Sequence, residues 1–125
     1  MIETKIQHGF CVSLKDENLF LGIKGSREKI FEKLDETEII IEKFLRLLEK
    51  YFHEVAWYIG TDYINDNICE RFMFAKSGFM EIYLGKNEIN AYFPTKAKAD
   101  KFAQALKKAL IKLKKSHLSH KIIIK

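Results

Sequence analysis

The chain has 125 residues, 47% of them hydrophobic, and a formal net charge of +5, which fits one ordinary domain with a sizeable core. Residues 1–94 hold 12 Lys and Arg against 16 Asp and Glu, whereas residues 95–125 hold 10 Lys against one Asp, so an acidic body precedes a basic end. Because no window is apolar enough for a membrane span or a secretory signal, we expect one cytoplasmic domain over residues 1–125, without membrane contact.

The first segment alternates apolar and polar residues, which is the period of a strand with one buried face. Residues 15–18 are polar and turn-forming, and the alternation resumes over residues 19–24. Together they predict a β-hairpin that leads into the first helix. The residues expected on the buried face of the first strand are Ile6, His8, Phe10, Val12 and Leu14.

The longest patterned stretch runs from Ser26 to His53 and repeats apolar residues at steps of four and three, which predicts an amphipathic α-helix. Ser26 is a candidate N-cap. Asp35 and Glu38 also have the spacing of a capping box, so the stretch forms either one helix or two. The residues of the apolar stripe are Ile30, Leu34, Thr37, Ile41, Phe44, Leu48 and Tyr51.

A third strand is predicted after this helix, because Val55, Trp57 and Ile59 alternate with smaller or polar neighbours. Residues 61–67 are the most polar irregular segment of the chain and predict an exposed loop. Residues 70–94 predict a three-stranded meander with turns at residues 77–78 and 85–88. The meander residues expected to face the core are Met80, Ile82, Leu84, Ile89, Ala91 and Phe93.

Thr95 is a candidate N-cap for a second helix, which carries an apolar stripe from Ala99 to Leu113 and lysines on its other side. The lysine-rich helix and tail therefore begin at residue 95. Near the end of the chain, residues 122–124 are three consecutive isoleucines, and this run predicts a short edge strand or a docked tail.

The predicted order of elements is β-β-α-β-β-β-β-α. Such an order is typical of an α+β fold, here an antiparallel sheet of about six strands with two amphipathic helices packed mainly on one face.

The sequence contains no nucleophile elbow, no Walker loop, no H-E-x-x-H motif and no dinucleotide fingerprint. Cys11 and Cys69 have neither C-x-x-C nor metal-finger spacing. We therefore assign no catalytic residue, no cofactor and no metal site. A small enzyme of unrecognised type is the alternative that the sequence supports least.

Several aromatic residues are predicted on the sheet face that the helices leave uncovered. Exposed aromatic patches with a charged rim are typical of specific protein interfaces. The chain is therefore interpreted as a non-enzymatic protein-binding module, such as an inhibitor or immunity-type protein, whose partner is another protein or a second copy in a homodimer. The candidate partner-binding residues are Tyr58, Phe79, Tyr83 and Tyr92.

Nucleic-acid binding through the basic second helix is the second hypothesis, because lysines can neutralise phosphates. Against it, this helix contains no arginine and the body of the chain is acidic. A lysine-rich helix face is often only a solvated face. The lysines that would contact nucleic acid are Lys101, Lys107, Lys108, Lys112 and Lys115.

Overall fold

A computed structural model describes residues 9–16, 34–64, 67–75 and 77–116. The described elements are β1 (Phe10–Lys15), α1 (Leu34–Phe52), β2 (Ala56–Ile64), β3 (Asn67–Phe74), β4 (Gly78–Tyr83), β5 (Glu88–Phe93) and α2 (Lys96–Ser116). Four predicted features lie outside the described residues: the start of the first strand with Ile6 and His8, the strand over residues 19–24, the first part of the helix that begins at Ser26, and the isoleucine tail. The choice between one helix and two over residues 26–53 depends on residues outside the described ranges.

The described strands form one sheet in the order β1-β5-β4-β3-β2, and every neighbouring pair is antiparallel. The α+β class, the antiparallel sheet and the two helices are thus confirmed. The described sheet has five strands and not about six, and these five correspond to the predicted strands other than the one over residues 19–24.

The loop predicted over residues 61–67 is wrong. β2 continues to Ile64 and β3 begins at Asn67, so the two strands form a long hairpin. Tyr63 lies opposite Ile68 and Ile64 lies opposite Asn67. Cross-strand pairing therefore outweighs the polar composition of this segment, which had suggested a loop.

Both helices pack on the same face of the sheet. The core cluster takes alternate residues from β4 and β5 and the apolar stripes of the two helices, so the predicted phases of these elements are confirmed. Thr37, Ile41, Phe44 and Leu48 of α1 are buried. The buried residues of the sheet and of α2 include Met80, Ile82, Leu84, Ile89, Ala91, Phe93, Phe102, Leu106, Leu110 and Leu113.

Phe52, the last residue of α1, is at the centre of an aromatic cluster. Its ring lies 5.0 Å from Phe74 and 5.4 Å from Phe102, both in edge-to-face geometry. The Oγ1 atom of Thr95 accepts a hydrogen bond from the Lys98 amide at 3.2 Å, which confirms Thr95 as the N-cap of α2. The contact between the rings of Phe52 and Phe102 holds the end of α1 against the first turns of α2.

Two hydrogen bonds to Glu49 fix the connection from α1 to β2. His53 has φ of 63° and donates its amide to the Glu49 carbonyl at 2.8 Å, which is the left-handed ending common in helices. The Glu49 carboxylate then accepts the Ala56 amide at 2.9 Å. These two bonds fix where β2 begins relative to the helix layer.

Candidate functional site

β2 is an edge strand whose only described strand neighbour is β3. Its burial pattern contains no fully buried residue, although most of its side chains are large and apolar. The side chain of Trp57 is 58% exposed, and Met73 of β3 is exposed beside it. We call this group the β2 surface; its members are Trp57, Tyr58, Ile59, Tyr63, Ile64 and Met73.

The strand register assigns these residues to the two faces of the sheet, because residues directly opposite each other share a face. Tyr58 lies opposite Phe72, a core residue, and the two rings are 5.8 Å apart. Tyr58 therefore lies on the helix side of the sheet. Trp57 lies opposite Met73, which points to the far face, the face opposite the helices.

Phe79, Tyr83 and Tyr92 lie on the far face, as predicted, because Met80, Ile82 and Ala91 alternate with them and face the helices. The prediction that Tyr58 shares their face is wrong. β2 has the opposite phase to the one expected, and a one-residue difference in phase exchanges the two faces of a strand. The four aromatics therefore do not form one surface.

One row of paired side chains crosses the far face through all five described strands. Phe79 and Tyr92 stack with ring centroids 4.8 Å apart in the middle of it. Both are half-buried, whereas Met73 and Trp57 at the β2 end of the row are exposed. In strand order the row contains Cys11, Tyr92, Phe79, Met73 and Trp57. The apolar surface of the far face thus extends to the edge strand.

A polar cluster centred on Glu81 adjoins this row. Glu81 is 8% exposed, and its carboxylate accepts a hydrogen bond from Arg71 Nε at 3.1 Å. Arg71 also pairs with Asp62 of β2. Tyr83 of β4 and Tyr92 of β5 interact electrostatically with Glu81 as well. Glu81 is therefore a buried acceptor for Arg71, which in turn connects β4 and β3 to β2.

The groups around Glu81 are proton donors at neutral pH and not nucleophiles. Burial, reinforced by the Glu81 charge, raises the pKa of the Cys69 thiol to about 11. Burial and the same charge raise the pKa of Tyr92 to about 12. Since the reactive form of a cysteine is the thiolate, the protonated Cys69 thiol is poorly suited to nucleophilic chemistry. The cluster fits a structural role beneath a binding surface.

A cleft of about 370 Å³ opens beside the first residues of β2. At its side the Glu54 carboxylate accepts hydrogen bonds from Lys98 at 2.7 Å and from Ser77 at 2.6 Å. Burial alone raises the pKa of Glu54, but these two bonds and the charges of Lys98 and Lys101 together outweigh it and hold the pKa below its usual range. The lining residues are His53, Glu54, Val55, Trp57, Ala75, Lys98 and Lys101.

The lysines predicted to contact nucleic acid lie on α2. Lys101 lines the cleft, with its ammonium 5.9 Å from the centre of the Phe52 ring. Lys107, Lys108 and Lys112 are exposed farther along the helix. Lys115 also belongs to α2, but its side chain lies outside the described part of the structure. The structure thus separates Lys101, which adjoins the β2 surface, from the other lysines of the set.

Sequence reasoning missed the edge position of β2, the Glu54 pairs and the buried Glu81. One available signal for the first was the run Trp57-Tyr58-Ile59, in which consecutive residues are large and apolar. Such a run cannot keep one face polar, so it indicates apolar surface on both faces of the strand. The Glu54 and Glu81 contacts join residues 10 to 44 positions apart, and no local pattern specifies them.

Within the described ranges, no group of three or more His, Cys, Asp or Glu side chains is arranged to hold a metal ion. The helices in those same ranges include none that combines the length and the apolar character of a membrane span. Comparisons with protein-family models, with curated proteins and with solved structures found no match to this chain.

Proposed function

We propose that the chain is a protein-binding module that holds its partner along the edge strand β2. The observation that carries this proposal is the β2 surface: an edge strand with large apolar side chains exposed on both faces of the sheet. The sequence alone predicts a binding face among the aromatics of the sheet face that the helices leave uncovered. The exposure of β2 moves the centre of the proposed interface to the edge of the sheet.

An edge strand presents a row of backbone N–H and C=O groups that can pair with another strand. Proteins commonly protect such an edge with lysines, prolines or short strand length. β2 is nine residues long and contains neither lysine nor proline; its protection is limited to one β-bulge at Ile59 and the charge of Asp62. Addition of a partner strand would satisfy the backbone and cover the apolar side chains together.

The surroundings of β2 provide the polar rim that protein interfaces commonly have. The Asp62–Arg71 pair borders the strand on the far face. Lys98 and Lys101 border it at the cleft, where Trp57 is one wall. This arrangement supports binding of a protein segment whose apolar side chains meet Trp57 while its polar groups reach the rim. An inhibitor or immunity-type role stays a prediction.

The proposal is tested by comparing two lysine substitutions at matched positions. Ile59 of β2 is 53% exposed and Ile39 of α1 is 56% exposed, so Ile59→Lys and Ile39→Lys remove similar apolar surface in different places. Each variant would be used to capture proteins from its host, and every captured protein would be purified and titrated against both. Equal melting temperatures would confirm that both variants fold.

We expect Ile59→Lys to weaken the affinity for the true partner at least about tenfold, because central apolar contacts dominate interface energy. Ile39→Lys should leave that affinity unchanged. If no protein, including the chain itself, distinguishes the two variants, β2 is not a protein-binding edge.

Nucleic-acid binding is kept as a second candidate because the exposed lysines of α2 include Lys107, Lys108 and Lys112, and the first turn of the helix has no acidic residue. Changing these three lysines to Gln should flatten the salt dependence of binding to a DNA or RNA duplex. Binding that is weaker than micromolar at physiological salt, with or without the substitutions, would leave α2 as a solvated basic helix.

A further inference from the structure

We infer that the strand covering β2 is β2 of a second copy of this chain, paired antiparallel so that two sheets become one continuous sheet. This inference rests on the proposed function and names the partner at the same surface. The distribution of side chains along β2, the β-bulge and the charge of the strand support it.

The apolar residues of β2 are concentrated at its two ends. Residues 57–59 near the start and residues 63–64 at the end are large and apolar, whereas residues 60–62 between them are small or polar. In an antiparallel pair of identical strands, the start of one strand lies beside the end of the other. The two apolar ends of each copy would therefore meet the two apolar ends of the other.

The β-bulge brings the matching residues onto the same faces. Trp57 and Ile64 are seven positions apart, and an odd separation would place them on opposite faces of a regular strand. The extra residue of the bulge, between Tyr58 and Gly60, brings the two side chains back to the same face. Their partners on β3, Met73 and Asn67, are six positions apart, and this even separation places both partners on one face. Both side chains thus lie on the far face.

The β-bulge also brings the matching residues of the helix side onto one face. Tyr58 and Tyr63 lie opposite Phe72 and Ile68, which are both core residues. Antiparallel pairing would place Tyr58 of one copy near Tyr63 of the other on the helix side, and Trp57 near Ile64 on the far face. Residues directly opposite on one face are the pairs that stabilise a sheet.

The charge of β2 favours a copy of itself over a charged partner. Asp62 is the one ionisable carboxylate in the strand, and it pairs with Arg71 of the same chain. Two copies would therefore meet without an unpaired acidic residue on either edge. β1, the strand at the other end of the described sheet, is shorter and has the exposed Lys15, so it is the better protected edge.

The first test is the oligomeric state of the full chain, measured by sedimentation over a range of concentrations. Ile64 of β2 and Ile111 of α2 are both 41% exposed, which provides a matched pair of substitutions. We expect the wild type to form a dimer and Ile111→Lys to form a dimer with the same dissociation constant. For Ile64→Lys we expect the dissociation constant of the dimer to rise at least about tenfold. Circular dichroism would show that each variant folds.

The second test determines the direction of pairing. Two variants, Tyr58→Cys and Tyr63→Cys, would be prepared with Cys11 changed to Ser, since Cys11 is exposed and Cys69 is buried. After mild oxidation of an equal mixture, random pairing alone would make the mixed disulfide twice as abundant as either symmetric one, and antiparallel pairing predicts an excess of the mixed disulfide well above that ratio. An excess of the symmetric disulfides would indicate parallel pairing and would overturn the antiparallel arrangement.

A wild-type chain that stays monomeric at high micromolar concentration would overturn the inference. The proposed function would survive that result if another protein bound the wild type and lost affinity with Ile64→Lys but not with Ile111→Lys. If no protein discriminated between those variants either, both the dimer and the protein-binding edge would be excluded. The two failures are therefore distinguishable.

Discussion

Arg71 and Glu81 lie directly opposite each other on β3 and β4, with 3.1 Å between Arg71 Nε and Glu81 Oε2. The carboxylate is largely buried although it lies on the far face of the sheet, because Tyr83 and Tyr92 flank it. Arg71 also reaches Asp62 of β2. The pair therefore links the centre of the sheet to the edge strand that carries the proposed interface.

Glu81→Gln should lower the free energy of unfolding by about 1–3 kcal/mol, because it removes the charge from a buried acceptor that holds a guanidinium group. Glu42→Gln is the control, since Glu42 also pairs with an arginine, Arg46, but in an exposed position on α1. The control should cost less than about 0.5 kcal/mol. Urea denaturation of both variants measures the difference, and equal losses would show that burial does not strengthen the Arg71–Glu81 pair.

The sequence was sufficient for the elements whose apolar period is regular. The alternation in β4 and β5 and the stripe of α1 identified residues such as Leu48, Ile82 and Ala91 as core, and all three are fully buried. It also identified Thr95 as the cap of α2. These features depend on local spacing, which a single sequence contains.

The features that the sequence did not reveal depend on contacts between distant residues. Glu49 has the spacing of a solvated residue on α1, yet its carboxylate accepts the Ala56 amide and helps to fix the start of β2. The phase of β2 was predicted in reverse because Trp57, Tyr58 and Ile59 are all apolar. In such a run, the alternation of apolar and polar residues does not indicate which side chains face the helices. Pairing with β3 decides that phase.

Two glycines of the sheet have backbone conformations that favour glycine. Gly60 and Gly78 both have positive φ, 148° and 141°, which other residues rarely adopt. A Cβ on Gly60 would have no atom within 4 Å, whereas a Cβ on Gly78 would overlap the carbonyl oxygen of Tyr92. Gly60→Ala should therefore cost about 1–3 kcal/mol from backbone strain alone.

Gly78→Ala should cost clearly more than Gly60→Ala, because β4 and β5 must separate at Tyr92 to accept the methyl group. Thermal and urea denaturation of the two variants measure the difference, with the wild type as reference. Equal costs would show that the close approach of Gly78 to Tyr92 does not restrict the side chain at this position.

Glu70 lies opposite Ile82 on the helix side of the sheet. Burial raises its pKa above the ordinary value of 4.5, and the charge of Glu38 on α1 raises it further. A carboxylate whose pKa is higher in the folded state stabilises the fold when it is protonated, and that contribution is lost as the pH rises through the folded pKa. At neutral pH the ionised Glu70 therefore destabilises the fold.

Glu70→Gln should accordingly raise the free energy of unfolding at pH 7, because the amide carries no charge to desolvate or repel. Well below pH 4.5 the glutamate is protonated in both the folded and unfolded states, so the gain should disappear there. Glu38→Gln should give a smaller gain at pH 7, since it removes only the repulsion and leaves the burial of Glu70 unchanged. Urea denaturation of the three proteins at both pH values measures these effects. A gain of the same size at both pH values would contradict the prediction, because a benefit independent of protonation cannot come from the Glu70 charge.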